Sequence, residues 1–356
     1  MKPLQSSRKL LKKIQLDAIL FSSAPNILYL TNYAGFSETE RDAYTLLLEN
    51  KCYLFTNPLY AQEIKQKTTD FRIIEHDAKR PFIKNLADIV EKEGLSTIGF
   101  ENDNLTVAEY LRLTENISSH FISVDLTKLR IYKNDTEIEN IKKACQIADE
   151  ALANIKSKVK PGVTELDIAL EFELTVRKFG GVLSFPTIVA FGKNAAIPHH
   201  HTDQTKLKIN DVVLIDCGVK INNYCSDITR TFFIGKPTLE QKKAYQTTFD
   251  AQQKAVKYIS MLLEQKKEIN AAEVDDVARE HITQNGFPSI PHSLGHGIGI
   301  QVHEAPPLSP TSKNTLEEGM VFSIEPGIYL TNKFGIRIED LYAIQNNKLV
   351  QLTPSI

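Results

Sequence analysis

The sequence predicts an α+β chain of two domains, a smaller α/β domain over residues 1–126 and a larger one over 127–356. Three observations carry this reading. The 356 residues, 42% hydrophobic and 24% charged, are enough for two ordinary globular cores. Helix and strand periodicities alternate through the first third and lapse into a connector near Ser123 to Arg130. Beyond the connector, two acid-bearing strand pairs lie among long amphipathic helices, so the concentrated chemistry belongs to the second domain.

Composition removes several function classes. A formal net charge of -2, scattered rather than blocked, leaves no electrostatic footprint for nucleic acid or an anionic membrane. Cys52, Cys145, Cys217 and Cys225 form no C-x-x-C pair and are too few for a disulfide scaffold, which suits reduced thiols and a cytoplasmic location. The basic N-terminus lacks a long apolar core or small-residue cleavage site, and no run approaches the roughly 18 apolar residues of a membrane span. A soluble, unsecreted protein is expected.

In order along the chain, Leu10, Leu11 and Ile14 recur at helical spacing and lead into the apolar run AILFSS, which reads as a strand. Ile27 to Leu30, Tyr44 to Leu48, Cys52 to Phe55 and Thr97 to Phe100 read as further strands. Leu59 to Lys67, Ile83 to Lys92 and Leu105 to Leu113 read as helices. The stretch NILYLTNYAGFSETERDA interleaves aromatics with charges; Tyr33, Phe36 and Arg41 suit a loop closing over the domain's own core. The second domain opens on a long amphipathic helix, with Thr136 as its cap and Glu139 three residues on. Pro161-Gly162 ends it, and Thr164 with Asp167 starts the next. Helices resume at Leu239 to Leu263 and Ala271 to Asn285.

The chemistry begins in VVLIDCGVKINNYCSDITR. With period two, Val212, Leu214 and Asp216 share one strand face, Asp227 and Thr229 share a face of the next, and Lys220 to Asn223 is a polar turn. Cross-strand neighbours lie about 5 Å apart, so two carboxylates would face one small volume. Unpaired anions there are costly to desolvate and call for a cation. A second strand pair, Met320 to Leu330 and Phe334 to Ile344, carries Glu325 and Glu339, and SIPHSLGHGIGIQVHEAPPL sets His296 among glycines. Asp216, Asp227, His296, Glu325 and Glu339 thus form one imidazole and four carboxylates, a set that balances two divalent ions. Oxygen-rich ligation favours Mn2+, with Co2+, Zn2+ or Fe2+ possible, over a thiolate-held structural zinc.

The segments SFPTIVAFGKNAAIPHH, VVLIDCGVKINNYCSDITRTF, HSLGHGIGIQVHE, GMVFSIEPGIY and GIRIEDL, in this order, resemble the creatinase/prolidase-like "pita-bread" metallopeptidases, specifically the Xaa-Pro dipeptidases and Xaa-Pro aminopeptidases. NILYLTNYAGF resembles the creatinase-type N-terminal domain more weakly. The resemblance implies a pita-bread catalytic domain after that N-terminal domain, and short proline-containing peptides as substrates. It implies that Asp216 binds one metal, that Asp227 and Glu339 bridge both, and that His296 and Glu325 complete the other. A metal-bridging water would be the nucleophile and Glu325 a proton shuttle. His303 would donate to the scissile carbonyl oxygen, and His199 would contact the substrate backbone or leaving group. His292 would line the proline pocket and Arg337 would hold the bridging carboxylates.

His200 and His201 match nothing specific and read as solvated loop. Pro186 replaces an acid frequent after Ser-Phe in relatives, and FTNPLY at Phe55 to Tyr60 departs from the family's F-T-D-x-R-Y. A homodimer is expected, with Tyr33 to Arg41 of one subunit closing the far end of the other's cleft. The rival readings are a methionine aminopeptidase, a metal-free C–N hydrolase and an inactive binding module of the same fold.

Overall fold

The computed structural model describes residues 3–353 and divides between Leu129 and Arg130 into two compact units. No helix among the described residues is long and apolar enough to cross a membrane. The four cysteines are buried thiols.

The first unit is built on a six-stranded mixed sheet. Ala18–Phe21 is central to it, antiparallel to Ala43–Leu48 on one side and parallel to Thr97–Glu101 on the other. This strand is buried along its whole length, and alternation divides it between two cores. Ile19 and Phe21 pack with Leu11, Leu47 and Leu54, whereas Ala18 and Leu20 pack with Leu46, Phe55 and Leu86. Asn57 caps the helix Pro58–Lys67, accepting from the Leu59 N–H at 2.9 Å, so FTNPLY keeps a capping side chain where the pattern F-T-D-x-R-Y has Asp.

One expectation for this unit needs correction. Ile27 to Leu30 is not a strand but lies within the helix Ala24–Thr31. Ser23 caps that helix, and the buried carboxylate of Glu101 accepts from the backbone N–H groups of Ser22 and Ser23 and from Asn26 Nδ2. Ser23 and Pro25 mark that start locally, and Glu101, from a strand distant in sequence, adds an anion to it. The aromatic stretch closes over its own unit's core, as expected: Tyr33 and Phe36 are buried edge-to-face at 4.9 Å, and Arg41 Nε donates to Glu109 Oε1 at 2.8 Å.

In the second unit, Val212–Cys217 lies between Ile188–Phe191 and Ile228–Phe233, antiparallel to both. Val212 and Leu214 pack against the helices Leu239–Glu264 and Ala271–Gln284, while Val213, Ile215 and Cys217 pack against Asp135–Lys156 and Glu165–Lys178. Asn134, not Thr136, caps the long helix, in a reciprocal box with Glu137. Two residues earlier than expected, it satisfies the same orphan N–H groups.

Each acid-bearing segment of this unit that reads as one continuous strand is in fact two. Beyond Cys217 the chain leaves its sheet, and Val219–Ile221 pairs instead with Tyr224–Cys225 and Val182–Leu183. Val321–Ile324 belongs to a five-stranded sheet and Gly327–Leu330 to a two-stranded one; their partners Asp340–Gln345 and Phe334–Arg337 change sheets in the same place. Gly335 of the two-stranded sheet lies so close to the 192–196 turn that a Cβ there would fall on the carbonyl of Ala195. Gly335→Ala is therefore expected to destabilise this unit by about 3 kcal/mol through overpacking against backbone that cannot yield. A lowered urea midpoint with an unchanged slope would register it.

Candidate active site

The four acidic residues of the predicted set lie at or beside these changes of sheet. Asp216 is next to last in its strand and pairs with Thr229, while Asp227 immediately precedes Ile228–Phe233. Glu325 lies between Val321–Ile324 and Gly327–Leu330, and Glu339 between Phe334–Arg337 and Asp340–Gln345. Where a strand changes partners, the backbone is freed from one ladder's alternation, so a side chain can leave the apolar face. Cross-links hold the breaks together: Glu339 N–H donates to Thr229 O at 3.2 Å, and Glu325 N–H to Leu294 O at 2.8 Å.

His296 enters from the short strand Gly295–Gly297. A Cβ at either flanking glycine would strike the carbonyl of Ser323 or of Ala305, so only glycine lets the imidazole's backbone thread between neighbouring strands. Ser323 Oγ accepts the His296 N–H at 3.0 Å and donates to Glu325 Oε1 at 3.1 Å, orienting both. His296 Nε2 stands 3.3 Å from Glu325 Oε1 and 3.7 Å from Asp227 Oδ2. Donor atoms of Asp227, His296 and Glu339 all lie within 4.8 Å of one another.

Arg337, only 3% exposed, ties the carboxylates to the cleft wall. Its Nη2 donates to Asp216 Oδ2 at 2.6 Å and its Nε to Thr229 Oγ1 at 3.1 Å; that hydroxyl donates onward to Glu339 Oε2 at 2.7 Å. Its Nη1 reaches the Tyr329 hydroxyl at 2.8 Å and the Pro198 carbonyl at 3.2 Å. Tyr329 in turn meets His292 Nε2 at 2.9 Å. Tyr329 and Thr229 complete this network, and sequence reasoning gave them no role in it, since neither stands in a motif of ionisable groups.

Electrostatics in this cluster are unbalanced. Burial, then Glu339 and Asp216, push the Asp227 carboxyl well above its usual range; burial, then Glu325 and Asp216, do the same to Glu339. Burial opposes the charged form of His296, yet its hydrogen bond with Glu325 raises its pKa on balance. Asp216 Oδ1, Asp227 Oδ1 and Glu339 Oε1 are buried without a hydrogen-bond partner. Three orphaned carboxylate oxygens and an imidazole converging in one volume fit divalent cations, whose charge would offset the mutual repulsion.

The cluster lies in a cavity of about 640 Å3, which His199, His292 and His303 also line. The His303 ring stands edge-on to that of His296, with centroids 4.4 Å apart. Burial and then His296 lower its pKa. Its loop is pinned by the next residue, Glu304, whose carboxylate pairs with Lys133 Nζ at 3.1 Å and Arg130 Nε at 3.3 Å. Burial lowers the pKa of His292 as well, against the pull of Glu325. His199 is exposed at the cavity wall.

His200 is not the solvated loop residue expected: it is buried, with Nε2 2.7 Å from Glu165 Oε2. Its partner opens the helix Glu165–Lys178, between the Thr164 cap and Asp167, and stands in no motif of the sequence. His201 is exposed, as expected.

Comparison with known proteins bears on what this cavity does. The model of metallopeptidase family M24 matches residues 139–346, and that of the creatinase/prolidase N-terminal domain matches residues 3–131. An uncharacterized peptidase of Bacillus subtilis is 35% identical over 97% of this chain and 95% of its own. Among solved structures, an Xaa-Pro dipeptidase from Bacillus anthracis aligns with a TM-score of 0.91 at 32% identity, covering 100% of this chain and 98% of that one. An X-Pro aminopeptidase from Thermotoga maritima aligns with a TM-score of 0.89 at 34% identity, covering 99% and 98%.

Proposed function

The chain belongs to metallopeptidase family M24, and on that premise we propose that it is a dinuclear proline peptidase, hydrolysing the Xaa-Pro bond at the N-terminus of short peptides. Its fold is the family's: a creatinase-type N-terminal domain followed by a pita-bread catalytic domain. The observation that carries the proposal is the convergence of orphaned oxygens from Asp216, Asp227 and Glu339 in one cavity with His296 and Glu325.

Those five residues would hold two divalent ions, Mn2+ first, as an oxygen-rich set with a single imidazole favours. When bound, the ions supply Lewis acidity, polarising the scissile carbonyl and bringing the pKa of water toward neutrality. The protein's own groups do the rest. His303, whose pKa burial lowers, donates to the carbonyl oxygen as negative charge develops there. Glu325 moves a proton toward the leaving proline nitrogen, and His199 contacts the substrate backbone or that leaving group. His292, held by Tyr329, lines the proline side of the cavity. Proline's tertiary amide offers no N–H, so recognition falls to a shaped pocket and to carbonyl polarisation rather than to extended-strand pairing.

Metal-stripped protein refilled with Mn2+, Co2+ or Zn2+ should release alanine from Ala-Pro, from Ala-Pro-Ala, or from both, and their ratio gives the length preference. Cleavage of Met-Ala with neither proline peptide cut would favour the methionine aminopeptidase reading. No cleavage and no metal uptake by calorimetry would favour a binding module. The proposal includes a cytoplasmic homodimer, which sedimentation at working concentration tests.

A further inference from the structure

The loop that carries His199 is gathered by a single carboxylate outside the metal-binding cluster. Glu165 opens the helix Glu165–Lys178, is 0% exposed, and follows the cap Thr164. Its Oε1 accepts from the Phe191 N–H at 2.8 Å and from Asn194 Nδ2 at 2.9 Å. Its Oε2 meets His200 Nε2 at 2.7 Å and accepts the Asp203 N–H at 3.2 Å. Phe191 and Asn194 precede His199 in the chain, and His200 and Asp203 follow it. One buried anion, placed where the helix N-terminus favours negative charge, therefore fastens both ends of the loop.

His199 itself is exposed, and among the described residues no hydrogen bond holds its ring. Its position must come from its neighbours. Pro198 is fixed through its carbonyl to Arg337 Nη1 at 3.2 Å, and His200 through its ring to Glu165. The two sides of His199 are thus tied to different anchors, one reaching the carboxylate cluster and the other the helix start.

Glu165, His200 and Asp203 also bring metal-ligating atoms together. Both Glu165 oxygens already have two partners each, and Asp203 Oδ1 accepts the Thr205 N–H at 2.7 Å, so the group is satisfied without an ion. This saturation sets it apart from the orphaned oxygens of the carboxylate cluster.

We propose that His200 and Glu165 are positioning residues for His199: the buried pair sets where the neighbouring imidazole stands in the cavity. The kinetic arm of the test rests on the peptidase reading; the spectroscopic arm does not. His200→Gln can keep a donor near the place of Nε2, whereas His200→Asn is too short to reach Glu165 and preserves polarity.

With Ala-Pro as substrate, His200→Asn should lower kcat by about 100-fold through misplacement of His199, and His200→Gln should restore most of it. In a His199→Ala background the same His200→Asn change should cost no more than about twofold, because it acts through a group already removed. A full additional loss in that background would overturn the proposal.

Independently, zinc-loaded protein with 15N-labelled histidine should give His199 ring resonances that coincide in wild type and His200→Gln but move or broaden in His200→Asn. Unchanged His199 resonances in His200→Asn would overturn it equally. If wild type cleaves no peptide, the peptidase reading fails and the resonances alone decide the positioning. Should His200→Asn not fold, Glu165→Gln is the replacement, since one amide oxygen cannot serve both sides of the loop; it should move the His199 resonances, and their constancy would sink the proposal.

Discussion

Glu339→Gln is expected to abolish metal-dependent peptidase activity, by at least about 1,000-fold, while leaving the metal-free protein as stable as its parent or more so. The two halves of this result have one cause. Glu339 is buried among Asp227, Asp216 and Glu325, and its carboxyl is pushed up by burial and by the last two. Without a cation that crowding is a cost to the fold, and an amide of the same shape removes one of its charges. The amide oxygen can still accept from Thr229 Oγ1, so the local hydrogen bond survives. With Mn2+ present the order reverses. Wild type gains about 2.7 kcal/mol at a free ion concentration one hundred times Kd, and a variant that cannot hold the ions does not. Melting curves with and without Mn2+ would show the crossing; a variant less stable than wild type in both conditions would mean that Glu339 serves packing rather than metal binding.

Arg337→Met is expected to behave in the opposite way, destabilising the metal-free protein by about 3–5 kcal/mol, as breaking a buried ion pair does. The guanidinium is the positive partner of Asp216 at 2.6 Å, and it also donates to Thr229, Tyr329 and the Pro198 carbonyl. Methionine fills the space and satisfies none of these acceptors. Metal should recover part of the loss, because a divalent ion offsets the charge that Arg337 balanced. Arg337→Lys should recover little, since a single ammonium cannot reproduce a planar fork reaching four groups. Denaturant titration with and without metal measures each figure. An Arg337→Met protein as stable as wild type without metal would remove Arg337 from its proposed place.

How much of this was legible in the sequence depended on how local the cause was. Alternation alone put Asp216 on the face of Val212 and Leu214, because a strand's two faces follow from its geometry whatever it pairs with. The helix start at Thr164 was equally plain, being a bond between residues three apart. The change of sheet between Ile324 and Gly327 was not: hydrophobic period records which face is buried and stays silent about which strand lies alongside. The helix Ala24–Thr31 does carry local start signals, Ser23 as cap and Pro25 in the first turn, which the short apolar run after them hides, since such a run fits a strand equally well. The burial of His200 has no local signal, its carboxylate partner being 35 residues away. The five clustered acidic and imidazole residues were legible because ionisable side chains inside apolar strands are conspicuous before any fold is known.

The ion pair between Lys133 and Glu304 has a consequence for the protein's chemical history. The Lys133 side chain is 2% exposed, so its amine is shielded from acylating enzymes and reagents that reach the surface lysines freely. An ammonium paired with a buried carboxylate is also a poor nucleophile until the pair separates. An acyl group on Lys133 would neutralise the partner of Glu304, one residue from His303, and could be added only while the catalytic unit was open. A modification found there would date from before the chain closed, or from an occasion on which it reopened.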